Sequence, residues 1–322
     1  MKVLVTGRLP EGVMAVIKEE HHVEAHRDDR PIKRQRLLDL IGDKEGLLCM
    51  ITDRIDGEVL DGAPNLKMIA NLAVGYDNID VADATVRGIP VSNTPGVLTD
   101  ATADITFALI LAMARRVVEG DRRTRAGEFR FWAPLHFLGR EVSGKTLGII
   151  GLGRIGRAVA RRAKGFDMQI LYHSRRRLEV FEENESGVSY ADFNGLLEQS
   201  DFVSLHVPLT DGTHHLIGLR ELKTMKPSAY LINTSRGPVV DEEALVAALR
   251  EGKIAGAGLD VYENEPVLTP GMTGLKNVVL LPHVGSATIE TRTRMGLKAA
   301  ENLLAGLRGK RPPNCLNPEV FS

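Results

Sequence analysis

The chain has 322 residues, 43% hydrophobic and 26% charged, with a formal net charge of −1. That length suits two ordinary domains with normal cores and no disulfide staples. The near-zero charge argues against nucleic acid or an anionic membrane as partner, and Cys49 and Cys315, without metal or redox spacing, suit a reducing compartment.

The opening MKVLVTG reads directly as a strand and turn rather than as a signal peptide, so a cytoplasmic protein is expected. Short apolar runs follow, LLCMI, KMIANLAV and IPVSN, with helical patterns at 11–19 and 80–87 between or beside them. This alternation indicates parallel sheet with crossover helices. From Thr99 the pattern becomes one long helix to about Val118, whose apolar part, between Asp104 and Arg115, is too short to span a bilayer. A basic, aromatic stretch with little periodicity comes next. A second series of strands is expected near 146–150, 168–172, 202–206, 229–232, 254–259 and 277–281. The final helix, 288–307, has Ile289, Met295, Leu297, Leu303 and Leu304 as its apolar members. Because the second series begins mid-chain, 99–287 reads as a domain inserted into one built from 1–98 and 288–322. The fold class expected is α/β, with two doubly wound parallel sheets: a Rossmann cofactor domain within a flavodoxin-like substrate domain.

Within LGIIGLGRIGRAVARRA, Gly151, Gly153 and Gly156 form G-x-G-x-x-G between a strand and a helix. The first glycine permits a tight turn, the second admits a pyrophosphate, and the third lets helix and strand pack closely. The helix N-terminus adds partial positive charge, so this loop points to a dinucleotide. About 20 residues further on, such folds carry an acid for the ribose hydroxyls. Here HSRRR stands instead, with Ser174, Arg175, Arg176 and Arg177. A run of arginines can be a plain solvated turn. At this position it also suits a 2′-phosphate, which an acid would repel and a guanidinium clasps. NADP(H) is therefore the preferred cofactor, with NAD(H) possible, and Ser174, Arg175 and Arg176 are the expected contacts.

Three stretches then end predicted strands: LINTSRGPVVD with Arg236, AGLDVYENEP with Asp260 and Glu265, and VLLPHVGSAT with His283. Singly, each residue could be an ordinary turn or strand-end group. Together they form a chemical set. An Arg binds a carboxylate and polarises the adjacent carbonyl, a His donates a proton to a ketone oxygen, and an acid on the other ring nitrogen fixes its tautomer.

At this point NLAVGYDNID (71–80), NTPGVLTDATAD (93–104), GIIGLGRIG (148–156), HVPLT (206–210), INTSRGPVVDEEAL (232–245), GAGLDVYENEP (256–266) and LPHVGSAT (281–288) are all in view, in order. With them the chain resembles the D-isomer-specific 2-hydroxyacid dehydrogenase family over essentially its full length. The Arg-rich turn and the FWAPLHFLG arm (131–139) are most similar to its glyoxylate/hydroxypyruvate reductases. The resemblance implies that Arg236 binds and polarises substrate, His283 is the acid/base and Glu265 its partner. It implies that Val74 and Gly75 offer backbone N–H groups to the substrate carboxylate. It also implies cofactor contacts from Thr102, Leu152, Gly153, Arg154, Ile155, His206, Val207, Pro208, Thr213, Thr234, Ser235, Arg236, Asp260, His283 and Gly285. The activity implied is reduction of glyoxylate and hydroxypyruvate. Phosphoglycerate or another D-2-hydroxyacid as substrate is the alternative within the family, and a dinucleotide-sensing scaffold the alternative outside catalysis. A homodimer is implied, with Trp132 or His136 bordering the neighbour's cleft. No metal site is expected: His22 and His26 read as solvated, helix-like histidines, and His214 and His215 as the edge of the cofactor loop.

Overall fold

The computed structural model describes residues 1–322. Contacts divide the chain into two units, Met1–Leu98 with Ala287–Ser322, and Thr99–Ser286.

The first unit holds strands Lys2–Val5 (β1), His22–Ala25 (β2), Gly46–Cys49 (β3), Met68–Asn71 (β4) and Val91–Ser92 (β5), with helices Glu11–Lys18 (α1), Arg34–Ile41 (α2), Gly57–Asp61 (α3) and Val81–Val86 (α4). All pairings are parallel, in the order β2-β1-β3-β4-β5. This is the flavodoxin-like order. β3 and β4 are buried along their whole length, so their sequences are continuous apolar runs rather than alternating ones. Helix Ile289–Leu307 (α12) completes this unit and buries Met295, Leu303 and Leu304. The other two apolar members of this helix do not pack. Ile289 and Leu297 point to solvent, 84% and 44% exposed. His22 and His26 are not on a helix either; His22 starts β2 and His26 follows it, so their four-residue spacing does not place them on one helical face.

The second unit contains Thr99–Arg115 (α5), Val117–Arg125 (α6), Thr146–Ile150 (β6), Arg154–Lys164 (α7), Gln169–His173 (β7), Val180–Ser186 (α8), Ser189–Tyr190 (β8), Phe193–Gln199 (α9), Phe202–Leu205 (β9), Leu219–Thr224 (α10), Tyr230–Asn233 (β10), Glu242–Arg250 (α11), Gly256–Leu259 (β11) and Val278–Leu280 (β12). Its sheet runs β12-β11-β10-β9-β6-β7-β8, all parallel. Strand order reverses at β6, which lies between β7 and β9. Ligands bind outside the carboxyl ends of strands at such a reversal.

One expected element is different. The long helix does not reach Val118: Arg116 turns left-handed at φ 55 and α6 begins after it. The Arg116 guanidinium bonds Glu119 at 2.8 and 2.9 Å and lies 4.0 Å above the Phe137 ring, which holds this costly backbone in place. α6 buries none of its residues, so the stretch lacks the apolar period that marks a packed helix.

Candidate active site

The phosphate loop joins β6 to α7. Gly151 has φ 96, and a Cβ there would come within 2.7 Å of the His206 carbonyl oxygen; at Gly156 it would meet the Gly151 carbonyl oxygen at 2.3 Å. Both glycines are demanded by the chain's own packing. Gly153 differs, since a Cβ there would meet nothing within 4 Å. Its missing side chain keeps open the space before the first turn of α7, formed by Arg154 and Ile155, where a pyrophosphate needs close approach to backbone N–H groups. The residues present therefore fit a dinucleotide.

A pocket of about 800 Å³ opens beside this loop. Gly151, Leu152, Gly153, Ser174, Arg175, Arg176, His206, Val207, Pro208 and Thr213 line it, with Arg157, Arg177, Glu179 and Glu182 also on its wall. The Leu152 N–H donates to Ser174 Oγ at 2.9 Å, which ties the basic turn to the phosphate loop. Arg175 and Arg176 are exposed and have no protein partner. Arg177 is engaged elsewhere, with Glu183. Burial pushes the His206 imidazole down to about 3, and its Nε2 lies 2.8 Å from Ser204 Oγ. The Thr213 hydroxyl donates to the Pro208 carbonyl at 2.6 Å and accepts from the Thr210 N–H, closing the loop opposite the arginines.

The chemical set lies on the loops after β10, β11 and β12. His283 Nδ1 is 2.8 Å from Glu265 Oε2, and the other oxygen of Glu265 accepts the Tyr262 N–H at 2.9 Å. Burial pushes the Glu265 carboxyl up, but the His283 hydrogen bond and charge, the Tyr262 N–H and the charge of Arg236 together leave it below the usual glutamate value. His283 has a left-handed backbone, φ 54, uncommon for a residue with a side chain. Asp260 anchors it from behind: its two oxygens accept the Val284 and Gly285 N–H groups, both at 2.7 Å. Burial pushes Asp260 up, and those two N–H groups offset part of the rise.

Arg236 is set by a polar clip. Asn233 donates to the Arg236 carbonyl at 2.9 Å and accepts from the Ser235 N–H and hydroxyl at 3.0 and 2.8 Å. At Gly237 a Cβ would lie 1.8 Å from the Tyr262 carbonyl carbon. The loop bearing Arg236 thus rests directly on the loop bearing Glu265. Thr234 is hydrogen-bonded to Thr106 of α5 at 2.9 Å, and a Cβ at Gly285 would lie 3.5 Å from Thr102 Cγ2, so the same helix backs both loops.

In the first unit, Val74 and Gly75 follow β4. The structure shows what frees the backbone N–H groups that the resemblance implies there. Three successive carbonyls are held: Ala73 by the Thr94 N–H at 2.8 Å, Val74 by Asn93 Nδ2 at 2.7 Å, and Gly75 by Asn71 Nδ2 at 2.9 Å. In a trans peptide the N–H points opposite to the carbonyl. The N–H groups of Val74, Gly75 and Tyr76 are thereby turned away from these partners, and none donates within the protein. Successive free N–H groups form an anion-binding concavity.

His214, His215 and Glu263 place ligand atoms within 4.8 Å of one another. The two rings are stacked at 4.1 Å, and His215 Nε2 is hydrogen-bonded to Glu263 at 2.6 Å.

A family model described as "D-isomer specific 2-hydroxyacid dehydrogenase, NAD binding domain" matches residues 107–285. The chain is 54% identical to a glyoxylate reductase of Thermococcus litoralis over 325 aligned residues, covering 100% of this chain and 98% of that one. The TT0316 protein from Thermus thermophilus superposes with a TM-score of 0.92 at 47% identity, covering 98% of this chain and 100% of that one. An NADPH-dependent glyoxylate/hydroxypyruvate reductase from Sinorhizobium meliloti, solved with NADP and malonate, gives 0.84 at 34% identity, covering 98% and 96%. With the two sheet orders, the phosphate loop and the Glu265–His283 pair on one chain, these matches make the protein a member of the D-isomer-specific 2-hydroxyacid dehydrogenase family, an oxidoreductase that uses a nicotinamide dinucleotide.

Proposed function

We propose that the protein reduces small 2-oxoacids, glyoxylate and hydroxypyruvate, to 2-hydroxy acids, with NADPH preferred over NADH. The observation that carries this reading is the 2.8 Å contact between His283 Nδ1 and Glu265. It leaves His283 Nε2 as the proton donor and gives the positive charge of the protonated ring a partner until that proton is delivered. Arg236 binds the substrate carboxylate and polarises its ketone, and the Val74 and Gly75 N–H groups are donors for a carboxylate. When bound, the reduced nicotinamide supplies the hydride. His283 delivers a proton to the ketone oxygen, and Glu265 keeps the ring oriented throughout. Small 2-oxoacids are favoured because the similar enzymes of Thermococcus litoralis and Sinorhizobium meliloti carry glyoxylate in their names.

For the cofactor, the support is the unpartnered pair Arg175 and Arg176 on the pocket wall, where a 2′-phosphate would find two guanidinium groups. Glu179 and Glu182 share that wall, but Glu182 accepts the Glu179 N–H at 3.2 Å and faces Arg157 at 3.8 Å, so it is already engaged. The remaining expected contacts, Leu152, Gly153, His206 to Pro208, Thr213, Thr102, Thr234, Ser235, Asp260 and Gly285, belong to the same reading. A homodimer does too: Phe129, Phe131, Trp132, Leu135 and Leu138 are 58–85% exposed in one short arm, and such a patch calls for a covering surface. The two free thiols fit a reducing cytoplasm.

The test is consumption of NADPH and of NADH, followed at 340 nm, with glyoxylate, hydroxypyruvate and phenylpyruvate. Turnover is expected with the first two, faster with NADPH. Absence of turnover with every oxoacid would favour the dinucleotide-sensing scaffold, and light scattering that gives a monomer would remove the dimer.

A further inference from the structure

Behind the basic turn lies a carboxylate that neither the phosphate loop nor the chemical set uses. Glu183 of α8 is only 7% exposed. Its Oε1 accepts the Tyr172 hydroxyl and Arg177 Nε, both at 2.8 Å, and its Oε2 accepts a second Arg177 nitrogen at 3.1 Å. The Tyr172 oxygen in turn accepts the Leu178 N–H at 2.8 Å. Tyr172 is fully buried at the end of β7, and Arg177 also lies 5.1 Å over the Tyr190 ring. The Arg177 and Tyr172 hydrogen bonds hold the Glu183 carboxyl below its usual value, and burial pushes the Tyr172 hydroxyl up, so the cluster sits as a carboxylate with a neutral phenol.

We propose that Glu183 is a positioning residue for cofactor choice: with Tyr172 and Arg177 it clasps both ends of the basic turn, so that Arg175 and Arg176 alone meet the 2′-phosphate. This rests on the NADPH reading given above. Tyr172 precedes the turn and Leu178 follows it, and one hydroxyl joins them. Ser174 is tied separately to Leu152. What remains unheld is the pair Arg175 and Arg176. A turn fixed in advance loses less freedom when ligand binds. Three adjacent guanidinium groups also repel one another, and Glu183 neutralises the third from inside. For Arg177 to reach a phosphate it would have to give up its ion pair with Glu183, which disfavours that move.

Calorimetric titration of the cofactor-free protein tests this with NADPH, NADH, adenosine 2′,5′-bisphosphate and 5′-AMP. Wild type is expected to bind the two 2′-phosphorylated ligands more tightly. Glu183→Gln is expected to weaken those two by about tenfold, the scale of a lost charge-assisted hydrogen bond, and to leave NADH and 5′-AMP within about twofold. Tyr172→Phe keeps the ring packing and removes only the hydroxyl, so about threefold is expected, in the same ligands only. It also serves if Glu183→Gln fails to fold. Equal weakening of all four ligands, no change in any, or tighter NADPH binding on releasing Arg177 would each overturn the clasp. If wild type itself does not distinguish adenosine 2′,5′-bisphosphate from 5′-AMP, the NADPH reading fails and the clasp falls with it. If wild type does distinguish them and both variants keep the wild-type ratio, only the clasp fails.

Discussion

The two sheets equip the carboxyl ends of their strands in opposite ways. After β4, the first unit offers backbone: three N–H groups turned outward because Thr94, Asn93 and Asn71 hold the carbonyls on the other side. After β10, β11 and β12, the second unit offers side chains, with Arg236, Glu265 and His283 each braced by a buried or half-buried partner. Backbone donors carry no titratable proton and respond little to pH, so they suit holding an anion. Side chains can gain and release protons, so they suit the chemical step. In the proposed reading the first unit contributes anion binding through backbone alone, and the second contributes Arg236 as well as the groups that move a proton.

The largest effect should come from the side-chain half. His283→Ala is expected to lower kcat by ~10²–10⁴-fold, the usual contribution of general acid catalysis, with the oxoacid KM little changed. A drop under tenfold would mean that the proton comes from elsewhere. Glu265→Gln should follow, with kcat about tenfold lower and the oxoacid KM little changed, because the ring loses the carboxylate that orients it. An unchanged kcat would separate the pair. The sign at low pH is also defined: Glu265 lies below its usual 4.5, so its contribution to stability is complete above that value and lost as pH falls through the lower folded one.

Asn93→Ala tests the backbone half. Releasing the Val74 carbonyl should raise the oxoacid KM by about tenfold, consistent with one well-shielded hydrogen bond, and leave kcat within about threefold. A fall in kcat with KM unchanged would erase the division between the units. The smallest effect concerns His206. Its folded value, about 3, is far below the usual 6.5, so the unfolded chain binds more protons between them and stability falls as pH drops through that window. His206→Gln should flatten the melting temperature across that range, each kcal/mol corresponding to roughly 2–4 °C in a domain of this size. Parallel curves for variant and wild type would show that the ring titrates normally.

Much of this was legible in the sequence, and what was not has physical reasons. Doubly wound sheets follow from alternating buried strands and helices, and Arg236, Glu265 and His283 stand out because each follows a strand within a few residues. The helix break at Arg116 is tertiary, made by Glu119 and by Phe137, a residue 21 positions on. α6 has no buried residue to give it a period. Ile289 and Leu297 look like core residues yet lie on the outer face of α12, since composition does not show which way a helix turns. The resemblance implied the Val74 and Gly75 N–H groups, but the clamps that free them left no trace, being a backbone N–H at Thr94 and two ordinary asparagines, Asn71 at the end of β4 and Asn93 just after β5. Glu183 was hidden among similar acids, Glu179, Glu182 and Glu185, and only burial separates it from them.

The contact at Gly237 also limits how the protein could be altered. With a Cβ there 1.8 Å from the Tyr262 carbonyl carbon, any other residue would push apart the loops that carry Arg236 and Glu265. Gly212 is the contrasting case, on the pocket wall, where an added Cβ meets nothing within 4 Å. In a library randomised at both positions, survivors should retain glycine at 237 and vary freely at 212. New cofactor preferences would then be sought by redrawing the outer rim, because the reacting corner behaves as one indivisible part.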